Sequence, residues 1–219
     1  MFFFDFDGPI LDVSERYFSV YARIIRECGG NPLLKDEYWN LKRNKISEIE
    51  IISESIEKNR IEEYISKRKT LIEDPSFLLL DTVLTDLFTA YTKTFTRHSA
   101  NLVTLRSYPQ NLEEQLLNLN IRSWFHQVLS GLSSDQVDNR WQIKVRLIQQ
   151  SGLLSKIKPE NCTFVGDTET DIITGKMLGM KTIAVCFGIR NRDILCKYQP
   201  DLIFDTPNHF SEYLMRTYI

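Results

Sequence analysis

The sequence is short of the residues that mark several common roles. Its three histidines (His98, His126, His209) do not cluster, and none is assigned a catalytic role. The four cysteines (Cys28, Cys162, Cys186, Cys196) are scattered without CxxC or zinc spacing, and are expected to be reduced thiols, mostly in the core. Neither sign of charge dominates: 27 Lys and Arg against 29 Asp and Glu leave −2, no electrostatic footprint for nucleic acid or an anionic membrane. No apolar run is long enough to span a bilayer, and no basic segment with a cleavage site opens the chain, so a cytoplasmic protein is expected. Internal repeats and low-complexity segments are absent. What remains is 219 residues, 42% hydrophobic, enough for one ordinary domain or a core with a smaller insertion.

The most informative stretch is the first. Met1 to Asp12 reads MFFFDFDGPILD, in which Phe2, Phe3, Phe4 and Phe6 form an apolar run interrupted by Asp5. A run without polar alternation predicts a strand buried on both faces, as in the middle of a parallel sheet. Gly8 and Pro9 stop it, since glycine admits positive φ and proline cannot continue a ladder. Asp5 and Asp7 are thereby placed at the C-terminal end of a buried strand, where ligands bind in open α/β sheets. Strand alternation would point both carboxylates the same way. Two like charges so close need a cation or a shared proton.

A helix is predicted next, starting at Asp12, Ser14 and Glu15, with Tyr17, Phe18, Val20, Tyr21, Ile24 and Ile25 at helical spacing and Gly29-Gly30 at its end. From residue 32 to about 97 the pattern is helical without a strand signal, broken at Asn44-Lys45 and Asp74-Pro75. This reads as an inserted bundle, giving an α/β core at 1–13 and 98–219 and a helical cap at 14–97. Beyond it, strands are predicted at 101–105, 124–129, 162–165, 181–185 and 201–204, alternating with helices at 109–118, 141–150, 169–178 and 207–216. Such alternation through short loops gives an α/β fold, a Rossmann-like doubly wound parallel sheet.

Polar features follow the buried strands: Asp5 and Asp7 after the first, Thr104 ending NLVTL, Lys144 in the helix before CTFVG, and Asp167 and Asp171 after it. Singly, each has an ordinary use, as a strand threonine, a solvated lysine, a helix N-cap or a first-turn acid. Together they are what phosphoryl transfer with a hard cation requires. DFDGPILD, VT, a lysine 23 residues before Asp167, and GDTETD, in that order, resemble the four motifs of the haloacid dehalogenase (HAD) superfamily. The arrangement is nearest to its phosphoglycolate-phosphatase-like members. The resemblance runs end to end, the helical insertion matching the cap that follows the first motif.

That resemblance implies roles. Asp5 would be the nucleophile that forms an aspartyl-phosphate, and Asp7 the general acid and then the base. Asp5, Asp167 and the backbone carbonyl of Asp7 would hold Mg²⁺, with Asp171 a further ligand or an acceptor behind it. Thr104 would donate to a phosphoryl oxygen, and Lys144 would neutralise charge among carboxylates and phosphate. The chain departs from the pattern at Pro9, where threonine is usual and where the ring removes an N–H and a hydroxyl. Arg106 either adds a phosphate contact or lies on the surface. Arg43, in the basic run LKRNK, either meets a second anionic group of the substrate or belongs to a solvated loop. The implied activity is Mg²⁺-dependent hydrolysis of a small phosphorylated metabolite by a monomer or homodimer, with no nucleic-acid or membrane partner. The alternatives are a sugar phosphomutase of the same family and a non-catalytic HAD-like binding or regulatory module. Retention of Asp5, Asp7, Lys144 and Asp167 argues against the module, because buried charges are costly to keep without use.

Overall fold

In the computed structural model, which describes residues 1–131, 139–155 and 157–219, Phe2–Phe4 (β1) runs through the middle of a six-stranded sheet. All three phenylalanines are buried, which is why the stretch shows no polar alternation. Two-residue strands, Leu11–Asp12 (β2) and Thr82–Val83 (β3), lie outside this sheet. Its other members are Ala100–Thr104 (β4), Gln127–Ser130 (β5), Thr163–Gly166 (β6), Lys181–Val185 (β7) and Leu202–Phe204 (β8). The order is β5-β4-β1-β6-β7-β8, and every pairing is parallel. Phe4 pairs in register with Leu102 on one side and Val165 on the other. The chain thus proceeds to one edge and then returns to build the other, so the strand order reverses beside β1. The crevice outside the carboxyl ends of the strands at such a reversal is the usual ligand site.

Residues Val13–Thr82 form a separate compact unit made of helices. These are Ser14–Glu27 (α1), Lys35–Arg43 (α2), Glu48–Ile52 (α3), Ile61–Leu71 (α4) and Pro75–Leu78 (α5). Their core holds Val20, Ile24, Ile52 and Tyr64, with Tyr21 stacked on Tyr38 at 4.3 Å between ring centroids. Arg16 is buried here and donates through Nε to Asp81 Oδ1 at 2.8 Å and through Nη1 to the Ile72 carbonyl at 2.8 Å. The predicted break at Asn44-Lys45 follows α2, with Lys45 at φ +64°, and Asp74 caps α5 by accepting from the Ser76 N–H.

The other compact unit comprises Met1–Asp12 and Val83–Ile219. Its helices are Thr85–Arg97 (α6), Pro109–Asn118 (α7), Arg140–Gln150 (α8), Glu169–Met177 (α9), Arg192–Cys196 (α10) and Pro207–Tyr218 (α11). The insertion is therefore shorter than the expected 14–97. Helix α6 belongs with the sheet because its aromatic face packs there: Tyr91 and Phe95 lie 5.4 and 5.2 Å from Phe4, and Tyr91 lies 6.2 Å from Phe210 of α11. Two strand expectations also shift. Residues Arg122–Trp124 form a 3₁₀ turn, so the strand expected from 124 begins at Gln127. The two-residue β3 falls where no strand was expected, being too short to leave a periodic pattern.

Candidate active site

The acid-bearing turn begins where β1 ends. The Asp5 N–H donates to the Val165 carbonyl at 2.9 Å, which ties the residue to the neighbouring strand. The chain then folds on itself, the Gly8 N–H donating to the Leu11 carbonyl at 2.9 Å and the Leu11 N–H to the Phe6 carbonyl at 3.2 Å. Gly8 is required twice over: its φ is +107°, and a Cβ there would stand 2.0 Å from Asp167 Oδ2. The buried Tyr91 hydroxyl donates to the Pro9 carbonyl at 2.7 Å, fixing the far side of the turn. The assigned strand ends at Phe4, so Asp5 and Asp7 lie in the turn beyond it. Asp7 and Asp5 meet different cations.

Asp5, Asp167 and Asp171 each offer a carboxylate oxygen, and these atoms lie within 4.8 Å of one another. Asp167 follows β6, Asp171 sits in the first turn of α9, and Lys144 enters from α8. All four are buried. The Lys144 ammonium donates to Asp5 Oδ1 at 2.7 Å and to Asp171 Oδ1 at 2.6 Å. Asp171 also accepts, through Oδ2, from the Thr168 N–H at 3.0 Å and hydroxyl at 2.6 Å, closing the N-terminus of α9. Asp167 Oδ2 accepts from the Ile189 N–H at 2.5 Å, and a Cβ on Gly188 would stand 2.1 Å from that same oxygen.

Three buried carboxylates around one ammonium leave an excess of negative charge. Burial pushes the Asp5 carboxyl up to about 7 against the pull of Lys144, with Asp171 and Asp7 adding repulsion. Burial also holds Asp167 well above the usual carboxylate range, reinforced by Asp5 and Asp171. Burial opposes the Lys144 ammonium too, but Asp171 and Asp5 outweigh it and raise that group above its ordinary range. One atom is left over: Asp167 Oδ1 is buried and accepts no hydrogen bond. An orphaned carboxylate oxygen beside two further acids fits a hard divalent cation with oxygen ligands, of which Mg²⁺ is the type that takes one or two carboxylates.

Thr104 is buried at the end of β4, the strand next to β1, and Arg106 lies two residues on, in the loop that follows it. Arg106 is buried rather than superficial, and its Nη2 donates to Asp7 Oδ1 at 2.6 Å. Asp7 lies outside the three-carboxylate cluster. Arg43 lies in the helical unit, in the last turn of α2, and is half-buried. Sequence reasoning passed over Tyr91, Gly188 and Ile189. The glycine following a strand in CFGIR was a usable signal for the latter two, whereas nothing local marks Tyr91.

The family model described as haloacid dehalogenase-like hydrolase matches residues 2–185. A pyrophosphatase, PpaX, of Bacillus cereus is 24% identical over 202 residues, spanning 92% of this chain and 90% of its own. A haloacid dehalogenase-like hydrolase from Streptococcus pneumoniae superposes with a TM-score of 0.75 at 19% identity, covering 97% of this chain and 96% of that one. A predicted phosphoglycolate phosphatase from Haemophilus somnus does so with a TM-score of 0.74 at 13% identity, covering 97% and 96%. Likeness at these identities shows the fold.

Proposed function

The chain belongs to the haloacid dehalogenase-like hydrolase family, and on that premise we propose that it is a Mg²⁺-dependent phosphatase acting on a small phosphorylated metabolite through an aspartyl-phosphate. The observation that carries this reading is the buried Asp5–Lys144–Asp171 bridge beside the orphaned Asp167 Oδ1. Asp5 and Asp167 would hold the cation, joined by the backbone carbonyl of Asp7. When bound, Mg²⁺ supplies positive charge that lets a carboxylate approach a phosphate dianion.

This chain's own residues account for the remaining chemistry. An Asp5 oxygen forms a bond to phosphorus as the ester P–O bond breaks, and Asp7 gives its proton to the departing oxygen. Water then attacks the aspartyl-phosphate while Asp7 takes up the water's proton, releasing phosphate and restoring Asp5. Lys144, fixed between Asp5 and Asp171, keeps the nucleophile oriented and offsets phosphoryl charge. Thr104 supplies a hydroxyl to a phosphoryl oxygen.

The test is phosphate release from p-nitrophenyl phosphate and a metabolite panel, with and without Mg²⁺, alongside Asp5→Asn. The panel includes inorganic pyrophosphate, because the curated relative is named a pyrophosphatase. Metal-dependent release that disappears in Asp5→Asn is expected. A folded, Mg²⁺-binding protein that releases phosphate from nothing in the panel would overturn the reading.

A further inference from the structure

Arg106 is 4% exposed, a state an arginine reaches only with a partner for its charge. Its Nη2 lies 2.6 Å from Asp7 Oδ1, with side-chain exposures of 5% and 13%. Its guanidinium carbon stands 5.9 Å from the ring centroid of Phe6, the fully buried residue between the two acids of the turn. The guanidinium is thus fixed by the wall of the turn whose carboxylate it binds. A residue whose task was to hold the phosphoryl group would be expected on the Asp5–Asp167–Asp171 side, where Lys144 is. Arg106 sits instead on the one acid of the site that stands apart from that cluster.

We propose that Arg106 is a positioning residue that, by binding Oδ1, aims the protonated Asp7 carboxyl group at the oxygen leaving phosphorus, an assignment that rests on the phosphatase reading above. The physical reason is rotational. An aspartate past the end of a strand can turn about two side-chain torsions, and proton transfer needs its oxygen within hydrogen-bond reach of the leaving group. A planar guanidinium offers donors in a fixed fork, so it sets direction where an ammonium sets only charge. Arg106 lies two residues beyond Thr104, the last residue of the strand adjacent to β1, so one strand end and the loop after it would serve the phosphoryl oxygens through Thr104 and the leaving oxygen through Arg106 and Asp7.

The experiment compares kcat/KM for phenyl phosphate and dinitrophenyl phosphate in the Mg²⁺-loaded full chain. Both carry the same phosphoryl group, but phenolate needs a proton to leave and dinitrophenolate does not. For Arg106→Gln the phenyl-to-dinitrophenyl ratio is expected to fall by about tenfold or more, within the range general acid catalysis contributes. Arg106→Lys, which keeps the charge and loses the fork, should fall between it and the wild type. The ratio within one preparation is independent of how much protein is folded. Asp7→Asn should lower the ratio in the same way, and adding Arg106→Gln to it should lower the ratio no further. Equal losses on the two substrates, or a further fall in the double variant, would overturn the positioning role and leave the phosphatase reading standing. A wild type that hydrolyses neither ester would overturn both.

Discussion

Lys144 Nζ lies 2.6 Å from Asp171 Oδ1, while the other oxygen of Asp171 accepts from the Thr168 N–H and hydroxyl. Both oxygens of Asp171 are therefore engaged by the protein itself, whereas Asp167 keeps Oδ1 buried without a partner. On the proposed reading the two aspartates of GDTETD would divide the work, Asp167 offered to a cation and Asp171 holding the lysine. Asp167→Asn should weaken Mg²⁺ binding by about tenfold or more, as loss of a charged ligand does, and Asp171→Asn by much less. Calorimetric titration of each folded variant measures the difference. Equal weakening would place Asp171 among the ligands.

Lys144 is the cation that two of the three clustered carboxylates, Asp5 and Asp171, share. Lys144→Met keeps the length of the side chain and removes the charge, leaving buried acids without compensation. Breaking a buried pair in this way costs about 3–5 kcal/mol. Urea denaturation of the metal-free protein should show that loss. Saturating Mg²⁺ should recover part of it, because bound cation replaces some of the missing charge. A variant as stable as the wild type without metal would mean that the carboxylates take up protons freely in place of the lysine.

How far the sequence could disclose this site depended on how local each cause is. The MFFFDFD run was legible because a strand buried on both faces must be apolar throughout, and its acids then have to lie at the sheet edge. GDTETD was legible because β6 and the first turn of α9 are contiguous in sequence. The partner of Asp7 was not legible, since the strand ends at Phe4 and Arg106, which donates to Asp7, lies 99 residues away. The end of the insertion was hidden for a related reason. Helix α6 has the same helical pattern as α1 to α5, and only its packing on Phe4 and Phe210 assigns it to the sheet.

Glu48 is the charged hub of the helical unit. Its Oε1 accepts from the Tyr64 hydroxyl at 2.5 Å and stands 3.3 Å from Arg68 Nε, and its Oε2 accepts from Lys42 at 2.8 Å. Burial works against the carboxylate, but Arg68 and Lys42 outweigh it and hold Glu48 down at about 2, from an ordinary 4.5. A depressed carboxylate contributes stability that is present above its ordinary range and lost as pH falls through the folded value. Glu48→Gln should therefore cost about 1.5–3 kcal/mol at neutral pH, the range for hydrogen bonds to a charged group. The gap between wild type and variant should close as pH falls from 4.5 toward 2. Denaturant melts across that window measure it, and a gap that stays constant would show that the carboxylate's charge contributes nothing.

The acids of the site respond to pH with the opposite sign. Burial raises Asp5 from 3.8 to about 7 and places Asp167 well above its ordinary value. A raised carboxylate binds its proton more tightly folded than unfolded, so its contribution is fully present below about 3.8 and is lost as pH rises through the folded value. The metal-free protein should accordingly lose stability from this cluster between about 4 and 7. A cation among the carboxylates substitutes for the missing protons and competes with them, so Mg²⁺ should raise the melting temperature more at pH 8 than at pH 5, the two sides of the upper end of that window. Thermal melts with and without Mg²⁺ at the two pH values check this. Asp5→Asn, which removes the group that titrates near 7, should flatten the difference. Equal stabilisation by Mg²⁺ at both pH values would mean that the cation binds away from Asp5 and Asp167.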